Sequence, residues 1–259
     1  MTSTGSDTSI WIRRYGKSAP AASRLVCFPH AGGSASYFHP VAMRLAPRVD
    51  VLSLQYPARQ DRRGEPPVDS IGECADRISE ALRTLPARPT VLFGHSMGAV
   101  LAFEVAIRLE REGDPSGALI ASGRQAPGVS HSRSVHLRDD DGIIKEIRLL
   151  NGTSSALLAD DEILRMTLPA IRGDYRAIET YTCPPGRTVR CPITVLVGDN
   201  DPRTTITDAE AWREHTTAGF RMRIFPGGHF YLADHLAAVL AEMSTELERL
   251  LLAPSHSVG

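Results

Sequence analysis

Residues 90–98 read TVLFGHSMG, and this stretch decides the fold. Thr90, Val91, Leu92 and Phe93 form a short apolar-rich run that enters Gly94-His95-Ser96-Met97-Gly98, a G-x-S-x-G. A helical pattern starts directly after it, in Val100, Leu101, Phe103, Glu104, Ala106 and Ile107. A serine on so sharp a strand-to-helix turn is held in strained backbone geometry, which projects its hydroxyl clear of the sheet. Glycines two residues to either side remove the Cβ atoms that would clash there. The pentapeptide alone recurs by chance. Between a strand and a helix it marks Ser96 as a nucleophile.

Outward from this turn, strand-like and helix-like stretches alternate. Residues 10–14, 24–28, 49–54, 118–122, 192–197 and 220–225 read as further strands. Residues 37–46 read as a helix. Ser70 with Glu73 makes a capping-box start for another, with Ile71, Cys74, Ile78, Leu82 and Leu85 at helical period. Leu236, Val239, Leu240, Met243, Leu247, Leu250 and Leu251 mark one face of a long final helix. The alternation predicts an α/β fold, a mostly parallel sheet covered by helices on both faces. Residues 1–259 read as a single domain. Between Ser122 and Cys191 no strand is evident, only helical patterns at about 140–150 and 160–181, the second interrupted by Pro169 and Gly173. Two helices exceed what one crossover needs, so residues 129–188 are expected to form a helical lid over the carboxyl edge of the sheet.

Composition narrows the class. Of the 259 residues 42% are hydrophobic and 23% charged, as in ordinary globular proteins. The net charge of −1 supplies no field to recruit nucleic acid or an anionic membrane. No apolar run approaches the roughly 20 residues that span a bilayer, and residues 1–9 lack the basic and apolar parts of a signal peptide. Cys27, Cys74, Cys183 and Cys191 show no C-x-x-C spacing, which predicts free, mostly buried thiols, no metal site and a cytoplasmic location.

A serine hydroxyl needs a base to take its proton and an acid to orient that base. On this architecture the partners follow in the order serine, acid, histidine. Gly198-Asp199-Asn200-Asp201-Pro202 follows one strand, and Gly227-Gly228-His229-Phe230 follows the next. Of nine histidines, only His229 and His235 lie downstream of these acids near a strand end, and His235 falls at a helix start. Either Asp199 or Asp201 can reach a loop histidine, the other being a turn former; order and placement favour Asp201. The oxyanion donors are read as the backbone N–H groups of Met97, after the nucleophile, and of Ala31, in the early Phe28-Pro29-His30-Ala31-Gly32-Gly33 loop.

Six blocks in order, FPHAGGSASYF (28–38), YPARQDRRGEP (56–66), GHSMGA (94–99), SGRQAP (122–127), GDNDP (198–202) and GGHFYL (227–232), resemble the type II thioesterases of modular polyketide and nonribosomal peptide synthetases. The resemblance runs from Trp11 to about Leu251 and departs where Ala58 stands in place of the glycine of a Pro-Gly-Arg. It implies an α/β-hydrolase fold with a lid, Ser96 as nucleophile, Asp201 as acid, His229 as base, and Ala31 and Met97 as oxyanion donors. It further implies hydrolysis of acyl thioesters from the phosphopantetheine arm of acyl or peptidyl carrier proteins, through an acyl-enzyme, which clears stalled or misloaded modules. The arm comes with the substrate, so no cofactor of the protein's own is expected.

The alternatives are a carboxylesterase or lipase acting on oxygen esters and, from another class, a catalytically dead binding module on the same fold. His30 and Arg59, with Met97, Tyr231 and Leu158, are candidate substrate contacts, and Leu157 and Leu164 are further candidates for an acyl channel; core packing explains the apolar ones equally well. Arg59, Arg62 and Arg63 offer contacts to the phosphate of the arm or to acidic residues of a carrier protein, against the plainer reading of a solvated loop balanced by Asp61 and Glu65. No interface pattern stands out, so a monomer is expected.

Overall fold

Residues 24–28 and 90–93 lie side by side at the centre of the sheet. Strand β2 (Ser23–Phe28) runs parallel to β4 (Thr90–His95), with Leu25 opposite Val91 and Phe28 opposite Gly94. The remaining strands are β1 (Ile12–Arg13), β3 (Val49–Leu54), β5 (Ala118–Ser122), β6 (Ile193–Gly198) and β7 (Phe220–Phe225). The seven are ordered β1-β3-β2-β4-β5-β6-β7, all parallel except β1. This is a computed structural model that describes residues 8–16, 21–46, 48–129, 131, 133–151 and 161–252.

Every residue of β2, β3, β5 and β6 is buried, as expected of parallel strands covered on both faces. Helices α2 (Ile71–Arg83) and α3 (Met97–Arg111) pack one face through Ile78, Leu82, Val100 and Phe103. Helices α1 (His39–Leu45) and α8 (Leu236–Leu252) pack the other through Val41, Val239, Met243 and Leu247. Edge strand β7 leaves Arg223 and Ile224 exposed. No described helix is long and apolar enough to cross a membrane.

Between β5 and β6 lie α4 (Asp140–Asn151) and α5 (Asp161–Glu179), which share a small core of Val135, Ile143, Ile144, Leu164, Leu168 and Ile171. Short helices α6 (Ile206–Glu210) and α7 (Tyr231–Asp234) follow β6 and β7.

Three sequence expectations need correction. Helix α5 is not broken at Pro169 or Gly173 but runs through both. Pro169 faces solvent, and Gly173 serves packing: a Cβ there would come within 2.7 Å of Pro67 Cβ. Strand β1 is shorter than residues 10–14, because Thr8–Trp11 form a 3₁₀ turn that tucks Trp11 into the core. Residues 37–46 likewise begin as a 3₁₀ turn, Ala35–Phe38, before α1.

Candidate active site

Ser96 sits between β4 and α3 at φ 56° and ψ −118°, a conformation side-chain-bearing residues rarely adopt. A Cβ on Gly94 would lie 2.1 Å from the Gly98 carbonyl oxygen, and one on Gly98 would lie 2.1 Å from that of Phe28. Both positions therefore require glycine. The Ser96 N–H donates to the Ser122 carbonyl at 2.8 Å, tying the turn to β5. Among the described residues the Ser96 hydroxyl has no hydrogen-bond partner, and it opens into a cavity also lined by His30, Ala31, Met97, His229 and Phe230.

The turn after β6 delivers Asp201 and the turn after β7 delivers His229. His229 Nδ1 donates to Asp201 Oδ2 at 2.8 Å, with both side chains buried. A carboxylate only accepts, so Nε2 of the neutral ring is left as the acceptor. Asp201 Oδ1 takes the Arg203 N–H at 2.8 Å. Asp199 is the turn residue: it is exposed, and Oδ1 accepts from Gly227 N at 2.9 Å and Asn200 Nδ2 at 2.7 Å. His235 closes α7, with Nε2 donating to the Pro226 carbonyl.

The loop after β2 is braced from two sides. Gly32 N donates to Asp174 Oδ2 at 2.7 Å, Ala35 N to Gln55 Oε1 at 2.9 Å, and the Tyr56 hydroxyl to the Pro29 carbonyl at 3.2 Å. The N–H of Ala31 is left without a protein acceptor among the described residues. So is that of Met97, in the first turn of α3, where helical N–H groups have no intrahelical partner. Both residues line the cavity. Two unengaged N–H groups beside a serine and an oriented histidine can stabilise the oxyanion of an acyl-transfer intermediate.

Arg59 does not project from a free loop. Its guanidinium grips both oxygens of Asp174 on α5 at 2.8 and 2.9 Å, and donates to the Gly33 carbonyl at 3.3 Å. Both side chains are buried. Burial lifts the Asp174 carboxyl above its usual range, against the pull of Arg59 and the Gly32 N–H. Arg62 is also buried, paired with Glu65 and lying 4.4 Å over the Trp11 ring, so only Arg63 of the three is exposed. Of these three arginines, Arg59 and Arg62 are engaged within the protein rather than solvated.

Three histidine rings gather beside Ser96: His95 lies 5.0 Å from His229 and 5.9 Å from His30. Burial, reinforced by His229, pushes His30 down to about 3 and His95 well below its usual value, which keeps both neutral near pH 7. His95 Nδ1 lies 2.9 Å from Ser122 Oγ, which lies 2.7 Å from the Tyr231 hydroxyl. Tyr231 thus belongs to the core behind the turn, and its neighbour Phe230 lines the cavity instead. Leu164 packs in the α4–α5 core rather than in the cavity. Leu157 and Leu158 lie outside the described residues. The four cysteines are free, and Cys27, Cys74 and Cys191 are buried.

Arg124, Arg133, Arg203 and Thr204, none of them among the sequence-predicted site residues, line the same cavity, and Asp174 on α5 braces its rim through Gly32 and Arg59. Arg124 stands within SGRQAP and Arg203 directly after GDNDP, so their place beside the site was legible there.

A nucleophile-elbow serine, an aspartate-held histidine and free N–H donors on a mostly parallel sheet define a serine-hydrolase class of site on an α/β-hydrolase fold. Residues 23–247 match the family model for the thioesterase domain, and the chain belongs to that family, whose members are hydrolases acting on thioesters. It is 58% identical over 245 residues to the probable cadicidin biosynthesis thioesterase of Streptomyces griseus, covering 94% of this chain and 68% of that protein. It is 45% identical to thioesterase PikA5 of Streptomyces venezuelae, covering 93% of this chain and 86% of that one. Among solved structures, the type II thioesterase BorB from the borrelidin biosynthetic cluster superposes with a TM-score of 0.88 at 50% identity, covering 92% of this chain and 98% of that one.

Proposed function

We propose that the protein is an editing type II thioesterase, which releases acyl groups from the phosphopantetheine arm of acyl or peptidyl carrier proteins of a polyketide or nonribosomal peptide synthetase. The observation that carries the reading is the 2.8 Å His229–Asp201 bond in the cavity onto which the strained Ser96 turn opens. The kinship to type II thioesterases directs that machinery to thioesters.

In this mechanism Ser96 Oγ attacks the thioester carbonyl while His229 Nε2 takes its proton. Asp201 holds the ring and stabilises the imidazolium, and the N–H groups of Ala31 and Met97 receive the oxyanion. The C–S bond breaks, and the arm leaves as its thiol with the proton from His229. A thiol of pKa near 8.5 departs far more easily than an alcohol, so general-acid assistance is light. Water, deprotonated by His229, then attacks the acyl-Ser96 ester, and collapse returns the proton to Ser96 and frees the carboxylic acid. No cofactor beyond the arm and no second copy of the chain enters these steps, and work on carrier proteins places the enzyme in the cytoplasm. The described helices α4 and α5 of the 129–188 insertion act as a helical lid; Tyr175, Ile178 and Glu179 of α5 line the cavity in support. Apolar lining at Met97, Val100 and Ile178 suits an acyl chain with loose length selectivity, since one methylene discriminates by only about 1–3 kcal/mol.

The test compares release of propionyl from a phosphopantetheinylated carrier protein with hydrolysis of a matched oxygen ester. A clear preference for the carrier thioester is the expected result. Activity on the oxygen ester alone makes the protein a carboxylesterase.

A further inference from the structure

The lining of the reaction cavity is of two kinds. Met97, Val100, Ala126, Val129 and Ile178 form an apolar set, and Arg124, Arg133, Arg203 and Thr204 a polar one. The polar set is tied to the catalytic turns. Arg124 lies two residues beyond Ser122, whose carbonyl accepts the Ser96 N–H at 2.8 Å. Arg203 lies two residues beyond Asp201 and donates its N–H to Oδ1 of that carboxylate at 2.8 Å. Arg133 in turn donates to the Arg203 carbonyl at 3.1 Å.

Two of these three cations are poorly compensated. Arg203 pairs with Glu146. Among the described residues, neither Arg124 nor Arg133 has a carboxylate within ion-pair distance. No side-chain nitrogen of Arg124 has a hydrogen-bond partner among the described residues, and its Nε is shut off from solvent. The buried hydroxyl of Thr204 is likewise unpartnered. The nearby acids are already engaged: Glu179 accepts from the N–H groups of Val135 and His136 and from the His136 ring, and Asp201 holds His229. Burial, with Arg133 as a like charge, pushes Arg124 down to about 10, which leaves it charged near neutrality. A half-buried guanidinium whose Nε is closed to solvent and a buried hydroxyl, both without partners, are costly unless the site is built to receive a counter-group. A guanidinium fork takes two oxygens of a phosphate or carboxylate, and a hydroxyl donates to a third or shared one.

We infer that Arg124, Arg133, Arg203 and Thr204 form an anion subsite within the reaction cavity, which binds a phosphate or carboxylate carried by the thioester substrate. The anion has two possible sources, the phosphate of the arm or an acid group on the acyl chain. The inference rests on the thioesterase reading of the cavity.

The test uses three thioesters: propionyl-pantetheine, which is neutral, propionyl-phosphopantetheine, and succinyl-pantetheine. Each is assayed with wild type, Arg124→Gln and Arg133→Gln. The subsite predicts that wild type favours one of the anionic thioesters over the neutral one by about ten- to a hundredfold in kcat/KM, the range of charge-assisted hydrogen bonds. That ratio falls toward one in both variants. A phosphate preference assigns the subsite to the arm, and a succinyl preference assigns it to the acyl group. Equal kcat/KM on all three in wild type, or a preference that survives both substitutions, overturns the subsite. Calorimetric binding of the same thioesters to Ser96→Ala gives the ranking without turnover. A failure of wild type to cleave even propionyl-pantetheine therefore counts against the hydrolase reading, while the binding ranking still decides the subsite.

Discussion

Arg59 and Arg124 both follow a parallel strand at the carboxyl edge of the sheet, one after β3 and the other after β5, and they meet opposite fates. Arg59 is gripped by Asp174 on both oxygens and spends a further hydrogen bond on the Gly33 carbonyl. Arg124 lines the cavity with no side-chain partner among the described residues. The difference lies in what packs over each loop: α5 lowers a carboxylate onto the first, while only like charges and engaged acids surround the second. An arginine near a site is thus architectural or ligand-seeking according to a partner more than a hundred residues away in the chain. His30 shows a third solution for a buried base, which is to give up its charge.

The comparison breaks most visibly at Asp174. Asp174→Ala strands the Arg59 guanidinium in the interior and is expected to cost about 3–5 kcal/mol in denaturant unfolding. Replacing the whole pair, as Arg59→Met with Asp174→Leu, recovers most of that loss and leaves about 1–3 kcal/mol for the unpartnered Gly32 N–H. Arg124→Gln removes a charge that has no partner and stays within about 1 kcal/mol of wild type. Equal costs for Asp174→Ala and Arg124→Gln would remove the distinction between the two loops.

A second effect is expected from pH. The folded His30 binds its proton only near pH 3, against about 6.5 in the unfolded chain, so between these values the unfolded state holds more protons. The stability His30 contributes is present above pH 6.5 and is lost as pH falls toward 3. His30→Gln should flatten this part of the acid limb of a stability-against-pH curve. An unchanged limb would show that His30 is not held neutral.

The smallest effect sharpens the Arg59 loop itself. Ala58 sits at φ 66°, a left-handed conformation that costs a residue with a Cβ more than glycine. Ala58→Gly is expected to raise stability by up to about 1 kcal/mol in thermal or denaturant melts, and a loss would mean that the methyl group packs usefully.

Much of the site was legible in the sequence because local turn chemistry wrote it. Gly94, Ser96 and Gly98 announce their turn, and the residues after β6 and β7 announce an acid and a histidine. The choice between Asp199 and Asp201 was not open to spacing, since both follow the same strand; the hydrogen bonds of Gly227 and His229 separate them. Tyr231 and Phe230 are adjacent in the chain and pack against the same core, yet only Phe230 also lines the cavity, and composition cannot say which one does. The sequence predicts an interruption of α5 because proline and glycine ordinarily punctuate helices, whereas in the structure Pro169 is exposed and Gly173 admits Pro67. Asp174 carries no local sequence signal because its role exists only through contacts distant in sequence.

The central claim is that Ser96 carries the acyl group between thioester and water. The most direct measurement mixes a propionyl-loaded carrier protein with wild type and with Ser96→Ala, following both turnover and the mass of the protein by rapid quench. The account predicts a propionyl adduct on Ser96 in wild type, with no adduct and turnover lower by about a thousandfold or more in Ser96→Ala. Near wild-type turnover by Ser96→Ala, or an adduct on another residue, would contradict it.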